Sequence, residues 1–159
     1  MLHSSNSTSN ATSSATATSS SATVATPTIY IAPIPTYSPL SDCPKSNFTR
    51  YTSNYASGSS GTVPSGAKLN FTKYCDLENP LIGIRQNTQT LSEAFVYSFN
   101  DCIEVCAAYN FWGASANCTV AVYQVNGSRP GNCWVGKIAA TSASSLAAKD
   151  GTDVALLNS

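Results

Sequence analysis

The first quarter of the chain lacks charged side chains. The first Asp, Glu, Lys or Arg is Asp42, and 18 of residues 1–40 are Ser or Thr. All charge therefore lies in residues 42–159, where 8 acidic and 8 basic side chains cancel. A neutral chain with 10% charged residues has no basic footprint for nucleic acid or an anionic membrane. This balance argues against nucleic-acid binding as a main role.

Histidine is nearly absent, since His3 in the Ser/Thr-rich tail is the one residue of this type. A Ser-His-Asp or Cys-His catalytic site is therefore not expected in a folded domain. A structural zinc site needs about four Cys or His ligands, usually in close pairs, and no Cys-x-x-Cys occurs. The carboxylates are scattered rather than paired for acid–base chemistry. The sequence predicts a protein that is not an enzyme and has no metal and no cofactor.

Long apolar runs are missing as well. No stretch of about 20 apolar residues is present to span a membrane, and Ala155-Leu156-Leu157 is too short for the tail of a lipid-anchor signal. The first residues show neither the basic segment nor the apolar core of about 10 residues that is typical of a signal peptide. Either an export signal or anchor lies upstream of this chain, or the protein is cytosolic and reduced. The cysteines favour the first alternative.

Residues 1–41 predict a disordered Ser/Thr/Pro-rich stalk or linker. Residues 1–26 are low-complexity Ser, Thr and Ala, which bury too little apolar surface to offset the entropy of ordering the chain. Four prolines follow, at Pro27, Pro33, Pro35 and Pro39. This density is typical of a stiff, polyproline-like segment, and the Ser and Thr content favours O-glycosylation if the chain is secreted.

Six cysteines lie at wide spacing between Cys43 and Cys133. An even number in so small a domain predicts a disulfide framework, and disulfides imply an oxidising compartment. Six cysteines allow many pairings, and the spacing alone does not choose among them. Asn-x-Ser/Thr sequons agree with an extracellular or cell-surface location. The candidate N-glycosylation sites are Asn6, Asn10, Asn47, Asn70 and Asn126.

One stretch, from Ser98 to Asn110, has the periodicity of a helix. Its apolar face consists of Phe99, Cys102, Ile103 and Cys106. The side chain of Ser98 or Asn100 is placed to cap the start, and Asn110 and nearby Gly113 are placed to end the helix. Because Cys102 and Cys106 are four residues apart, both thiols lie on one face. We expect them to fasten the helix to whatever covers that face rather than to form a redox pair.

Short alternating segments predict four to five strands. They are residues 69–75, 81–84, 118–125, 132–137 and 153–157. Residues 85–97 are ambiguous between a turn of helix and a lead-in to the main helix. The sequence thus predicts an α+β fold for residues 42–159: a small disulfide-stapled antiparallel sheet crossed by one helix.

Aromatic side chains are concentrated near the helix end and the hairpin that follows it. We take Trp112, Tyr123 and Trp134 as the candidate binding residues. Aromatics that alternate away from the cysteine face can form a patch that contacts sugar or protein. The alternative for each of them is packing against the second face of the sheet or under the loop of residues 76–97.

The order of these segments resembles the PAN/apple family in its fungal secreted form. The resemblance covers about residues 42–157 and rests on Cys75-Asp76, the helix with Cys102-x-x-x-Cys106, Cys118 at a strand start, and Cys133-Trp134 on the return strand. The stretch between Cys75 and Cys102 is long for an apple domain. Val135 also stands where Leu is usual.

The resemblance implies a pairing and a function. The implied disulfides are Cys102–Cys133, Cys106–Cys118 and Cys43–Cys75. The implied function is an extracellular binding or adhesion module that makes protein–protein or protein–carbohydrate contacts without catalysis. The expected partner is therefore an extracellular protein or glycan. The alternative is a structural secreted or cell-wall glycoprotein with no specific ligand.

Overall fold

The computed structural model describes residues 36–56, 66–82, 87–113, 117–139 and 143–158. The predicted stalk lies outside the described residues as far as residue 35, and the sequons at Asn6 and Asn10 lie there too. Within the described ranges, no helix combines the length and apolar character that crossing a bilayer requires.

The predicted helix is present as α1, Phe99–Trp112. Ser98 is its N-cap, because the Ser98 side chain accepts a hydrogen bond from the Asp101 backbone N–H at 3.1 Å. Of the two predicted end residues, Gly113 is the C-cap, since its N–H donates to the Tyr109 carbonyl, and Asn110 lies within α1. Asn110 is instead buried, and its amide bonds both the N–H and the carbonyl of Cys118 at 2.8 Å.

Six strands form one antiparallel sheet, not the four to five predicted. They are β1 Arg50–Ala56, β2 Lys68–Tyr74, β3 Gln89–Ala94, β4 Val120–Gln124, β5 Cys133–Lys137 and β6 Thr152–Leu157. Their order across the sheet is β1-β2-β6-β4-β5-β3. Of the described chain outside these elements, Ala143–Ser145 forms a short 3-10 helix.

The two strands that were not predicted, β1 and β3, lie at the edges of the sheet. β1 has a polar sequence, and its central Ser53 is buried because its hydroxyl donates to Glu104 of α1 at 2.8 Å. β3 falls within the segment left ambiguous. The strand predicted at residues 81–84 is wrong for Leu81 and Ile82, which lie in a turn where the Leu81 N–H donates to Asn79 Oδ1. Residues 83–86 lie outside the described ranges.

Both faces of the central sheet are buried. α1 covers one face, where Phe71, Phe99, Ile103, Tyr123 and the cysteines of α1 form the main core. Val120, Val122 and Val154 pack on the other face with Ile138 and Leu146. Cys118 packs on the helix side and Val120 and Val122 on the other, although strict alternation over the predicted strand 118–125 would place all three on one face. Cys118 lies before β4 begins, outside its alternation.

Three disulfides staple this core. The structure pairs Cys102 with Cys133, Cys106 with Cys118 and Cys43 with Cys75. These are the three pairs that the resemblance implied. Two of them join α1 to β5 and to Cys118, two residues before β4, and the third joins the chain before β1 to Cys75, directly after β2.

Candidate binding site

A tightly held segment, residues 42–49, lies between β1 and the amino-terminal part of the described chain; we call it the stapled turn. The Cys43–Cys75 disulfide joins it to the chain just after β2. Its backbone is closed by hydrogen bonds from the Ser46 N–H to the Asp42 carbonyl and from the Thr49 N–H to the Ser46 carbonyl. The turn is thus held both by its own backbone and by a covalent link to the sheet.

Hydrogen bonds also join the stapled turn to β2. The Phe48 N–H donates to the Lys73 carbonyl at 2.8 Å, and the Lys73 N–H donates to the Thr49 carbonyl at 2.9 Å. Asn47 Oδ1 accepts a hydrogen bond from the Cys75 N–H at 3.1 Å. These bonds extend the sheet edge into the turn and leave little freedom to its backbone.

Phe48 is the unusual residue of this turn. Its φ of 61° lies in the left-handed region, which a bulky residue adopts at a cost of roughly 1–3 kcal/mol. Its side chain is nevertheless 75% exposed. Its ring meets that of Tyr74 edge to face, with centroids 5.8 Å apart. The stapled turn therefore holds a large aromatic side chain in solvent, in a backbone conformation that is intrinsically unfavourable for phenylalanine.

A cavity of about 570 Å³ opens beside Phe48; we call it the aromatic groove. It is lined mainly by Phe48, Tyr74, Leu77 and Leu146, with polar atoms from Asn47 and Ser144. Small-molecule sites are clefts of roughly 300–1,000 Å³ with apolar walls and a few polar groups. The aromatic groove has that size and that chemistry.

A second cavity, of about 600 Å³, lies on the other side of the stapled turn; we call it the polar pocket. Its lining includes Asp42, Lys45, Arg50, Tyr51, Lys73 and Asn100. Asn100 Oδ1 is buried and accepts no hydrogen bond from the described residues. Residues of the stapled turn line both cavities, which differ in polarity.

Lys73 is the charged centre of the polar pocket. Its residue is 3% exposed, and its ammonium donates to Asp42 Oδ2 at 2.5 Å. The nitrogen also lies 5.1 Å from the ring centroid of Phe99 and 5.8 Å from that of Tyr51. This explains why a lysine interrupts the apolar pattern of β2: a carboxylate and two aromatic faces together compensate the buried charge.

Burial and hydrogen bonding shift the pKa values of Asp42 and Tyr51 in the polar pocket. Partial burial raises the pKa of Asp42, but hydrogen bonds from Lys73 and Ser46 and the Lys73 charge bring it below its ordinary value of 3.8. Burial, followed by the hydrogen bond that the Tyr51 hydroxyl donates to Glu104 at 2.6 Å, raises the pKa of Tyr51 well above its usual range. Asp42 is thus anionic and Tyr51 neutral at physiological pH.

The three predicted binding residues are not brought together. Trp112 is 77% exposed at the end of α1 and contacts Phe111 edge to face. Trp134 is half-buried in β5 opposite Val122, on the face of the sheet away from α1. Tyr123 is fully buried and stacks on Phe99 at 6.0 Å, so its assignment to an exposed patch is wrong. Both faces of β4 are covered, and strand alternation alone could not reveal this.

Burial of Tyr123 predicts that the folded protein loses stability at high pH. Burial, followed by the charges of Asp153 and Asp101, raises the pKa of Tyr123 to about 12 from an ordinary value of 10.0. Its neutral form is favoured by folding, so this contribution is complete below pH 10 and is lost as pH rises through about 12. We expect Tyr123→Phe to shift the midpoint of alkaline unfolding, followed by circular dichroism, to higher pH. An unchanged midpoint would contradict this origin.

Three predicted glycosylation sequons lie within the described residues, and so does one cluster of cysteine and carboxylate groups. Asn126 is exposed in the turn after β4, Asn70 is half-buried in β2, and Asn47 lines the aromatic groove. The sulfurs of Cys43 and Cys75 and a carboxylate oxygen of Asp153 lie within 4.8 Å of one another. Because both sulfurs are in a disulfide, this group offers no thiolate ligands to a metal.

Sequence reasoning missed Phe48 and Tyr74, the two aromatic residues that line the aromatic groove. Phe48 stands in a polar segment, and a left-handed backbone at a phenylalanine has no signature in composition. Lys73 did leave a signal, because it broke the alternation of an otherwise apolar strand face. The chain matches no model of a known protein family, no curated protein and no solved structure.

Proposed function

We propose that this protein is an extracellular, non-catalytic recognition module of the PAN/apple-like type, and that the aromatic groove binds a carbohydrate. Three disulfides are consistent with an oxidising location. One helix across an antiparallel sheet, fastened by the pairing that the resemblance implied, supports the PAN/apple-like assignment. The exposed sequon at Asn126 supports a secreted glycoprotein.

The observation that carries the carbohydrate assignment is the exposed, strained Phe48. Strained residues persist where the surrounding structure over-determines them, and they cluster at ligand sites. A rigid aromatic ring offers a flat apolar surface at low entropic cost, which suits the apolar face of a sugar ring. Asn47 adds an amide beside the ring for hydroxyl groups. The stapled turn thus presents a preorganised stacking platform.

The size of the groove favours a sugar over a protein surface. Stable protein–protein interfaces bury about 800 Å² on each partner and are mostly flat. The aromatic groove is a concave cavity of about 570 Å³, which fits one or a few sugar rings. A protein partner remains the competing result of the binding test.

The test is glycan binding by the secreted protein, measured on a glycan array and on insoluble wall polysaccharides. The key variant is Phe48→Gly, because glycine adopts a φ of 61° without strain. We expect Phe48→Gly to raise the melting temperature by a few degrees and to weaken glycan binding at least about tenfold. A loss of binding with a gain in stability cannot be attributed to unfolding.

Trp112→Ala is the matched control, since Trp112 is equally exposed but lies at the far end of α1. It should leave glycan binding unchanged. Equal loss in both variants, or loss in Trp112→Ala alone, would move the site away from the groove. Binding of a protein but no glycan would contradict the ligand class, and binding of neither would favour a structural glycoprotein.

The Asn47 sequon requires one further control. Because Asn47 lines the groove, an N-glycan at this position could occupy the ring of Phe48 itself. Site occupancy is measured by peptide mass spectrometry, and binding is compared before and after enzymatic removal of N-glycans. Binding that appears or strengthens after removal supports the groove as a glycan site; an occupied Asn47 with no external glycan bound at either stage contradicts it.

A further inference from the structure

The Cys43–Cys75 disulfide differs from the other two in what surrounds it. Cys102, Cys133, Cys106 and Cys118 are fully buried. Cys43 is only half-buried and lines the polar pocket, while Cys75 lines the aromatic groove. A reductant can therefore reach this disulfide through cavities that already exist, whereas the others are enclosed in the core.

A buried carboxyl group lies against this disulfide. Asp153 of β6 is 2% exposed, and one of its carboxylate oxygens lies within 4.8 Å of both sulfurs. The Ser41 hydroxyl donates to Asp153 Oδ2 at 2.6 Å, and the Asp76 N–H points to Oδ1 at 3.5 Å. A carboxyl group buried in this way is costly to ionise, and these contacts do not include a cation.

We propose that Asp153 is the proton donor for thiol–disulfide exchange at Cys43–Cys75, which makes this disulfide a selectively reducible site for a dithiol reductant. The inference rests on the access that the two cavities give to the disulfide and on the placement of the carboxyl group near the sulfurs. It does not depend on the ligand of the aromatic groove.

Thiol–disulfide exchange at Cys43–Cys75 takes place in two steps. A thiolate of the reductant attacks Cys43 Sγ, the more exposed sulfur, and the S–S bond breaks toward Cys75 Sγ. Cys75 takes a proton from Asp153, directly or through one water, and Cys43 is left in a mixed disulfide with the reductant. The second thiol of the reductant then attacks this mixed disulfide, releases Cys43 as a thiol and closes the oxidised reductant. Asp153 regains the proton that the first thiol lost.

Proton delivery matters here because the leaving thiolate forms in a buried position. A thiolate without a counter-charge is disfavoured there, and an ionised Asp153 would repel it. Burial raises the pKa of Asp153 despite the Ser41 and Asp76 hydrogen bonds, and the nearby carboxylates of Asp76 and Asp42 raise it further. Asp153 also faces the Tyr123 hydroxyl across the strand pair, and Lys73 is already paired with Asp42. The carboxyl group therefore keeps its proton to a higher pH than an exposed aspartate.

The experiment measures the rate at which dithiothreitol reduces each disulfide, by alkylation and peptide mass spectrometry, divided by the thiolate concentration at each pH. We expect Cys43–Cys75 to be reduced first, with Cys102–Cys133 and Cys106–Cys118 intact. Its normalised rate should fall about tenfold as pH rises through the pKa of Asp153. Asp153→Asn should be about tenfold slower than wild type at low pH and show no such fall. A pH-independent wild-type rate, or equal rates in both proteins, would overturn the proposal.

Ser41→Ala keeps the carboxyl group and serves if Asp153→Asn fails to fold. Removing the hydroxyl removes a bond that lowers the pKa of Asp153, so the fall in normalised rate should move to higher pH. A profile that does not move would contradict the role of Asp153. If the proposed function holds, reduction also frees the stapled turn and weakens glycan binding; failure of that consequence alone would count against the groove and not against the exchange.

Discussion

Replacing both Cys102 and Cys133 by alanine is expected to lower the free energy of unfolding by about 4 kcal/mol. The disulfide spans a sequence separation of 31 and fastens α1 to β5, so its loss frees a long loop in the unfolded chain. Domains of this size are stable by only about 5–15 kcal/mol, so most of the margin would be removed. Denaturant unfolding of the purified, secreted variant measures the change.

The Cys106→Ala, Cys118→Ala pair is the matched control. All four cysteines are fully buried, so each pair removes equivalent sulfur contacts from the core. The Cys106–Cys118 separation is only 12, and chain entropy predicts a loss of about 3 kcal/mol, smaller by about 1 kcal/mol. Equal losses in the two double variants would show that packing of the sulfurs, rather than loop closure, sets the effect.

Replacing Asp42 by alanine is expected to lower the free energy of unfolding by about 3 kcal/mol, although Asp42 itself is half-exposed. The cause is Lys73, whose side chain is 4% exposed and would be left buried without its carboxylate partner. Lys73→Met should be far milder, within about 1 kcal/mol of wild type, because methionine fills the same space between the rings of Tyr51 and Phe99.

The double variant Asp42→Ala, Lys73→Met tests whether Asp42 stabilises the fold through its ion pair with Lys73. If the cost of Asp42→Ala comes from an unpaired buried charge, adding Lys73→Met should restore most of the lost stability. No recovery in the double variant would mean that Asp42 acts through the stapled turn rather than through Lys73.

The same pair predicts a dependence on acid. Because the pKa of Asp42 in the folded protein lies below its ordinary value of 3.8, its contribution is present above that value and is lost as pH falls through the folded pKa. Lys73→Met removes the partner that lowers the pKa of Asp42. The acid limb of the stability curve should therefore be shallower in this variant, and an unchanged limb would contradict the assignment.

Local patterns in the sequence were sufficient for the elements whose burial follows a simple period. The apolar face of α1, its cap at Ser98 and the β4–β5 hairpin could all be predicted, because each depends on residues close in sequence. The edge strands β1 and β3 could not. β1 is polar, and Ser53 and Tyr51 are held by hydrogen bonds to Glu104, which is about 50 residues away along the chain.

The candidate site was beyond local patterns for the same reason. Strand alternation places Tyr123 on the face that the sequence predicts to be exposed. The packing of α1 onto β4 buries it. Phe48 becomes an exposed platform because the Cys43–Cys75 disulfide and the bonds to β2 force its backbone into a left-handed conformation. Asp153 meets the disulfide only because β6 inserts between β2 and β4.

The sequence by itself determined the class of fold, a small α+β domain with one helix, and its dependence on disulfides. Periodicity and composition act within a few residues, and they are sufficient to specify an amphipathic helix and a staple-dependent core. The tertiary structure decided the number of strands, the burial of Tyr123 and the positions of Phe48, Lys73 and Asp153. Each of these depends on contacts between segments far apart in the chain, whose free energy exists only once the sheet has assembled.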